Sequence, residues 1–279
     1  MIATMRVTQA SAPIKWHGGK SYLASRIIEM MPSHVHYVEP FFGGGAVLFK
    51  KPVDLIHGHS EVINDVYGEL ITFWQVVQSA ELFPEFERRI SLTPFAKPVW
   101  ELATKSKPRE PIDIACNFFI RYRQSRQGLG RDFATMSRTR TRRGMNEQVS
   151  SWLSAIDGLA DAHERLSRVA IFCDDAASLI SREDDRETFF YCDPPYVSST
   201  RIVDDAYSHE MTDEQHKRLL DTLGGISGRF LLSGYPNALY NSAARKYGWN
   251  RVDITIDNKA SSQKVKPKKV ECLWSNFDT

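Results

Sequence analysis

The segment that most restricts this 279-residue chain is Thr188-Phe-Phe-Tyr-Cys192, followed at once by Asp193-Pro-Pro-Tyr196. A nearly continuous apolar run of this kind reads as a central strand of a parallel sheet, buried on both faces. Two prolines then end the ladder, because proline donates no backbone N–H. In open α/β sheets that C-terminal strand end is where ligands bind. Asp193, Pro194, Pro195 and Tyr196 therefore present a carboxylate, a stiff turn with its carbonyl, and an aromatic face together. The set suits an aromatic amine. Asp193 and the Pro194 carbonyl can accept both amine hydrogens, which pulls the nitrogen towards sp³ and exposes its lone pair. Tyr196 can stack on the heterocycle, a contact worth ~1–3 kcal/mol per base. An ordinary strand-end turn with an ion-paired aspartate is the alternative for the tetrapeptide alone.

Two more segments bear on a ligand. Glu39-Pro-Phe-Phe-Gly-Gly-Gly45 follows the short β-type run that starts at Val35, and a helix start is expected after it. Its glycines permit positive φ and close backbone approach. Between a strand and a helix, such a loop favours a nucleoside-type cofactor. Asp65 ends the next run, Glu61-Val-Ile-Asn-Asp65, where such folds hold ribose hydroxyls. Asn64-Asp65 also fits a helix cap before the helix expected over 68–78. Lys15-Trp-His-Gly-Gly-Lys20-Ser21 hints at a phosphate loop, but Ile14 stands where that pattern needs glycine. A loop with Trp16 and Lys20 around two glycines can instead cover a cofactor, with Lys20 pairing a carboxylate.

The middle of the chain differs. Ile112, Ala115, Phe119 and Tyr122 recur at helical spacing, as do Trp152, Ile156, Leu159, His163 and Leu166. Between them, residues 121–143 hold eight arginines and one acid, Asp132. No strand signal is strong between about 80 and 165. Strand-like runs resume at Val169, Thr188 and Phe230. Thr212 with Gln215 forms a capping box, and Gly224-Gly225 stops that helix. Arg251–Ile256 and Val270–Trp274 read as a closing hairpin around a loop, 259–269, with five lysines. The expected organisation is a disordered tail (1–12), a catalytic α/β domain in two parts (13–79 and 166–279), and a helical insertion (80–165).

The 36 basic and 34 acidic side chains leave a charge of +2, which is silent about partners. Apolar residues at 42% and charged residues at 25% exclude a disordered, collagen-like or coiled-coil chain. No apolar run reaches the ~18 residues of a membrane span, and the N-terminus lacks a signal-peptide pattern. Four cysteines without C-x-x-C spacing fit a reducing, cytoplasmic compartment rather than a zinc site. Cys173 and Cys192 read as buried thiols. His34-x-His36 and His57-x-His59 lack nearby partners, so no metal is expected.

Taken in order, these motifs resemble the Dam-like, D12 class of DNA adenine-N6 methyltransferases, in particular their phage and prophage branch. Lys-Trp-His-Gly-Gly-Lys, Glu-Pro-Phe-Phe-Gly-Gly-Gly, Asn64-Asp65 and Asp-Pro-Pro-Tyr each match a family motif. So do the run from Arg121 to Leu129, Ser198-Ser-Thr-Arg201, Ser233-Gly-Tyr-Pro and Glu271-Cys-Leu-Trp. The resemblance covers most of the chain. It implies a Rossmann-like sheet that uses S-adenosylmethionine, interrupted by a helical target-recognition insertion. Trp16, Lys20, Glu39, Phe41, Gly43, Asp65, Asp193 and Asp175 (or its neighbour Asp174) would bind the cofactor. Arg121, Arg123, Arg126, Arg131, Arg138, Arg140, Arg142 and Arg143 would contact DNA phosphates and base edges. The lysine loop is a weaker phosphate candidate. The implied substrate is an adenine flipped out of double-stranded DNA. The implied cellular setting is a bacterial or phage-infected cytoplasm. A cognate restriction endonuclease is a conceivable partner, and the chain would act as a monomer or a weak dimer on DNA.

Other amine methyltransferases are the nearest rivals. Asp193, where cytosine-N4 enzymes usually carry Ser and glutamine enzymes carry Asn, favours adenine. The N-terminal motif and the large insertion argue against compact RNA guanine-N2 enzymes. A catalytically silent DNA-binding protein would lack cofactor binding.

Overall fold

The computed structural model describes residues 10–53, 58–197, 210–257 and 268–278. Its elements in chain order begin with α1 (Ala24–Glu29), β1 (His36–Glu39), β2 (Ser60–Asn64) and α2 (Gly68–Gln78). Then come α3 (Phe83–Ser91), α4 (Lys97–Lys105), α5 (Pro111–Arg123), β3 (Thr141–Arg142), β4 (Met145–Asn146), α6 (Glu147–Asp157) and α7 (Leu159–Leu166). The chain closes with β5 (Val169–Phe172), α8 (Ala176–Arg182), β6 (Thr188–Cys192), α9 (Asp213–Gly225), β7 (Arg229–Gly234), α10 (Ala238–Tyr247), β8 (Asn250–Asp257) and β9 (Lys268–Ser275).

The main sheet has seven strands in the order β5-β2-β1-β6-β7-β9-β8. β1 runs parallel to β2 and β6, and β6 runs parallel to β7. β9 is antiparallel to both β7 and β8. This is an α/β, Rossmann-like sheet. All five residues of β6 are buried, as the apolar run requires of a strand flanked by parallel neighbours.

By contacts the chain divides into two compact units. Met1–Glu29, Gly43–Gly58 and Tyr67–Cys173 form one; Met30–Phe42, His59–Val66 and Asp174–Thr279 form the other. The first is built on α2 and α5. Phe73 of α2 lies 5.4 Å from the Phe118 ring and 6.0 Å from the Phe119 ring. Trp152 of α6 joins at 5.3 Å from Phe119. Buried aromatics of this size each contribute ~1.5–3 kcal/mol by leaving water. The second unit buries Tyr37, Val38, Phe189, Phe190, Leu231, Leu232, Cys272, Leu273 and Trp274 around the sheet.

Several local expectations are met residue for residue. α2 spans Gly68–Gln78, and Thr212 and Gln215 make a reciprocal capping box at α9. Others are corrected. After the glycine turn the chain makes only a turn, with Phe49 N–H donating to the Gly45 carbonyl at 3.0 Å, and the described residues 46–53 contain no helix. The long second helix breaks at Gly158 into α6 and α7. Cys173 is exposed, because the buried residues of β5 end well before it; Cys192 is buried as expected. The arginine segment contains a small hairpin, β3–β4, turned by Arg143 (φ 54) and Gly144 (φ 72). Two left-handed residues in a row suit such a turn, so the Arg-Gly pair was the signal for it. Of the tail, residues 1–9 lie outside the described residues, whereas Ala10 is buried.

Candidate active site

In the second unit, three strand ends are organised by side chains. β1 ends at Glu39, which is buried and accepts a 2.6 Å hydrogen bond from the Tyr37 hydroxyl. The two residues share a face because side chains alternate along a strand. Burial, with Glu39 beside it, raises the Tyr37 phenol well above its ordinary value, so it stays protonated and donates. Phe41, two residues on, is half-buried.

Asn64 ends β2 and is fully buried. Its amide nitrogen donates to the Pro40 and Asp174 carbonyls, both at 3.0 Å. Its side-chain oxygen accepts the Asp174 N–H at 2.7 Å, and its backbone carbonyl accepts the Phe42 N–H at 2.8 Å. One amide thus ties the turn after β1 to the loop at Asp174 and sets the position from which Asp65, half-buried, projects. The residue directly before α2 is Tyr67, whose side chain makes no cap bond.

β6 delivers Asp193 at its end. Ser233 of β7 donates to Asp193 Oδ1 at 2.7 Å. Pro194 is buried and Pro195 half-buried. The Tyr196 hydroxyl donates to Glu271 of β9, at 2.9 Å to Oε1 and 3.1 Å to Oε2. The Tyr196 ring lies 4.3 Å from the Tyr235 ring. A carboxylate fixed by a hydroxyl and an aromatic ring fixed at its tip can orient an amine and stack on its ring. Ser233 and Glu271 stand in two of the motifs that the sequence singled out, Ser233-Gly-Tyr-Pro and Glu271-Cys-Leu-Trp, but their hydrogen bonds to Asp193 and Tyr196 were not legible there.

In the first unit, Trp16 packs on the glycine turn. A Cβ on Gly43 (φ 49) would fall 2.6 Å from Trp16 Nε1, and one on Gly44 2.6 Å from Trp16 Cβ. Glycine is therefore required there for space, and at Gly43 for conformation as well. Trp74 Nε1 donates to the Gly43 carbonyl at 3.1 Å. The Trp16 ring lies 5.1 Å from Tyr122 and 6.3 Å from Phe118. Lys20 is buried and donates to the Gly18 carbonyl at 3.3 Å. Lys15 Nζ donates to Gln148 at 3.0 Å, and burial, with Arg123 adding to it, lowers its pKa to about 8. Burial and then Arg131 lower the His17 pKa.

Two expected site groups have partners within the protein. Asp175 is the N-cap of α8: its Oδ1 accepts from Ser178 N–H at 2.9 Å and pairs with Arg218 at 2.9 Å. Cap and ion pair account for Asp175, and Asp174 pairs with Arg182 at 2.9 Å. Arg123 is 9% exposed and donates to the Ser151 carbonyl and, at 3.1 Å, to its hydroxyl. The Arg123 guanidinium is thus engaged within the helical part of the chain. The Arg121 side chain, 18% exposed, pairs with Glu69, donates to the Tyr67 hydroxyl at 3.1 Å, and lies over the rings of Phe118 and Tyr122. It too is committed internally. Arg126, Arg131, Arg138, Arg140, Arg142 and Arg143 are exposed. Ser198–Arg201, His57 and most of the lysine loop lie outside the described residues. Among the described residues, no cluster of three His, Cys, Asp or Glu side chains is placed to hold a metal. Nor is any helix among them long and apolar enough to cross a membrane.

Comparison with known proteins bears on this arrangement directly. Residues 16–99 and 132–257 match the D12 class N6 adenine-specific DNA methyltransferase family. A type II methyltransferase of Lactococcus lactis subsp. cremoris is 24% identical over 94% of this chain and 94% of its own length. The DNA adenine methylase of Escherichia coli is 23% identical, covering 78% of this chain and 77% of that one. The DNA N-6-adenine-methyltransferase of Escherichia phage P1 is 25% identical over 75% of this chain and 27% of that longer protein. The family match takes in both the glycine turn and the Asp-Pro-Pro-Tyr strand end. The chain therefore belongs to the D12 class of N6 adenine-specific DNA methyltransferases and is a site-specific enzyme of DNA adenine methylation.

Proposed function

We propose that the methyl donor is S-adenosylmethionine and that the acceptor is an adenine flipped out of double-stranded DNA. The observation that carries this reading is the end of β6, where Ser233 holds Asp193 and Glu271 holds Tyr196. The chemistry of the donor set fits the cofactor. Glu39, Asp65 and Asp193 stand at or next to the ends of β1, β2 and β6, carboxylates suited to ribose hydroxyls and an ammonium group. Phe41 joins them in the second unit. Trp16, Lys20 and Gly43 are the cofactor residues of the first. When bound, the cofactor supplies a methyl group already activated on a sulfonium.

An adenine N6 inside a duplex is out of reach, so the base leaves the stack at a cost of a few kcal/mol. Tyr196 stacks on the base. Asp193 and the Pro194 carbonyl accept the two N6 hydrogens, while Pro195 stiffens the turn. Polarisation by these acceptors localises the nitrogen lone pair, and alignment does the rest. Exposed Arg126, Arg131, Arg138, Arg140, Arg142 and Arg143 contact the DNA, within a recognition insertion over 80–165 set between catalytic parts 13–79 and 166–279. The setting is the cytoplasm of a bacterial or phage-infected cell. The chain works as a monomer or weak dimer on DNA. It has a cognate endonuclease only if it belongs to a restriction–modification pair, as the type II name of one relative suggests.

Expression in a methylation-free host, with N6-methyladenine mapped by single-molecule sequencing, tests the reading. Methylated adenines at one recurring sequence are expected, with S-adenosylmethionine binding measurable by titration. DNA binding without cofactor binding would instead mark a silent DNA-binding protein.

A further inference from the structure

We propose that Glu271 is a positioning residue for methyl transfer, acting through Tyr196; the inference rests on the stacking role proposed for that tyrosine. Glu271 is fully buried in β9. A carboxylate is kept in such a place only when hydrogen bonds satisfy it. Here both of its oxygens accept from the Tyr196 hydroxyl, at 2.9 and 3.1 Å. The register of β9 on β7 sets Gly234 opposite Cys272, which brings Tyr235 alongside Glu271. The Tyr235 ring in turn meets the Tyr196 ring at 4.3 Å, tilted 40°.

These two contacts do different things. The phenolic oxygen lies on the axis about which the ring turns, so the Glu271 bond fixes where the ring points but not its tilt. Packing on Tyr235 fixes the tilt. Pro195, immediately before, removes backbone freedom at the root. The bond has a second consequence for recognition. The phenolic proton is committed to the Glu271 carboxyl group. Tyr196 therefore offers a base its ring face and not its hydroxyl proton. Face-only contact accepts an adenine while Asp193 and Pro194 read its amine.

The test is steady-state methylation of unmethylated plasmid DNA with labelled S-adenosylmethionine. It compares wild type, Tyr196→Phe, Glu271→Leu, Glu271→Gln and the Tyr196→Phe/Glu271→Leu pair. Loss of one buried hydrogen bond, with its partner left unsatisfied, corresponds to roughly tenfold to a hundredfold in kcat. That loss is expected in Glu271→Leu and Tyr196→Phe, with KM for DNA nearly unchanged. Glu271→Gln, which keeps an acceptor oxygen, recovers most of the rate. The double variant is no slower than the slower single. Wild-type kcat in Glu271→Leu, or losses that multiply in the double variant, would overturn the proposal. If Glu271→Leu does not fold, Tyr196→Phe decides alone, and wild-type kcat there overturns it. Tyr196→Ala separates the two readings. If it methylates normally, the stacking role itself is wrong. If it is inactive while Tyr196→Phe and Glu271→Leu are normal, only the Glu271 inference falls.

Discussion

Ser233 Oγ donates a 2.7 Å hydrogen bond to Asp193 Oδ1 across 40 residues of sequence. The two meet because β6 and β7 run parallel with Cys192 beside Leu232, which places the next residue of each strand side by side. One oxygen held by a hydroxyl fixes the plane of the carboxylate. Asp193→Ala is expected to bind DNA yet lose methyl transfer; turnover like wild type would reject the mechanism. Ser233→Ala, which frees the carboxylate but leaves it in place, should lower kcat about tenfold. Stopped-flow or steady-state assays at saturating DNA distinguish the two effects.

The glycine turn predicts a contrast between two substitutions. A Cβ on Gly44 would meet Trp16 Cβ at 2.6 Å, while one on Gly68 meets nothing within 4 Å. Gly44→Ala should cost ~1–3 kcal/mol of stability and weaken cofactor binding, because Trp16 must shift. Gly68→Ala, at the start of α2, should be neutral or slightly stabilising. Thermal melts and cofactor titration read both. Equal melting temperatures in the two variants would show that Trp16 moves without cost.

The arginines divide into two groups with different expected signatures. Changing Arg138, Arg140, Arg142 and Arg143 together to Gln should lessen the slope of log Kd against log salt by ~0.9 for each phosphate contact removed. Stability should hardly change, since the exposed pairs Arg140–Glu147 (3.7 Å) and Arg143–Asp157 (3.5 Å) are worth ~0–1 kcal/mol. Arg123→Ala should do the reverse, lowering the melting temperature and leaving the salt slope alone. A flattened slope in Arg123→Ala would return that residue to the DNA set.

Lys15 carries a pH signature. Burial lowers its pKa from 10.5 to about 8. Between those values the unfolded chain holds a proton that the folded chain has released. Stability due to this residue therefore rises as pH climbs from about 8 towards 10.5, and is flat below. Measured against Lys15→Met, which cancels all other titrations, the wild-type melting temperature should gain over that window. A relative fall would mean that the nearby Glu147, and not burial, dominates.

The features readable along the chain are local. The buried β6 run, its double-proline stop, the bounds of α2 and the capping box of α9 are written in residues a few positions apart. Sterics, propensity and capping act over that same range. The order of short motifs was enough to indicate the family. Which side chains support one another depends instead on long-range packing. Ser233 reaches Asp193 across 40 residues and Tyr196 reaches Glu271 across 75, and strand register alone sets those meetings. The same holds for the arginines: all eight look alike in sequence, yet helix packing buries Arg123 and engages Arg121 while leaving the other six exposed. Burial is a property of what packs on a residue from elsewhere in the chain, and no window of neighbours contains it.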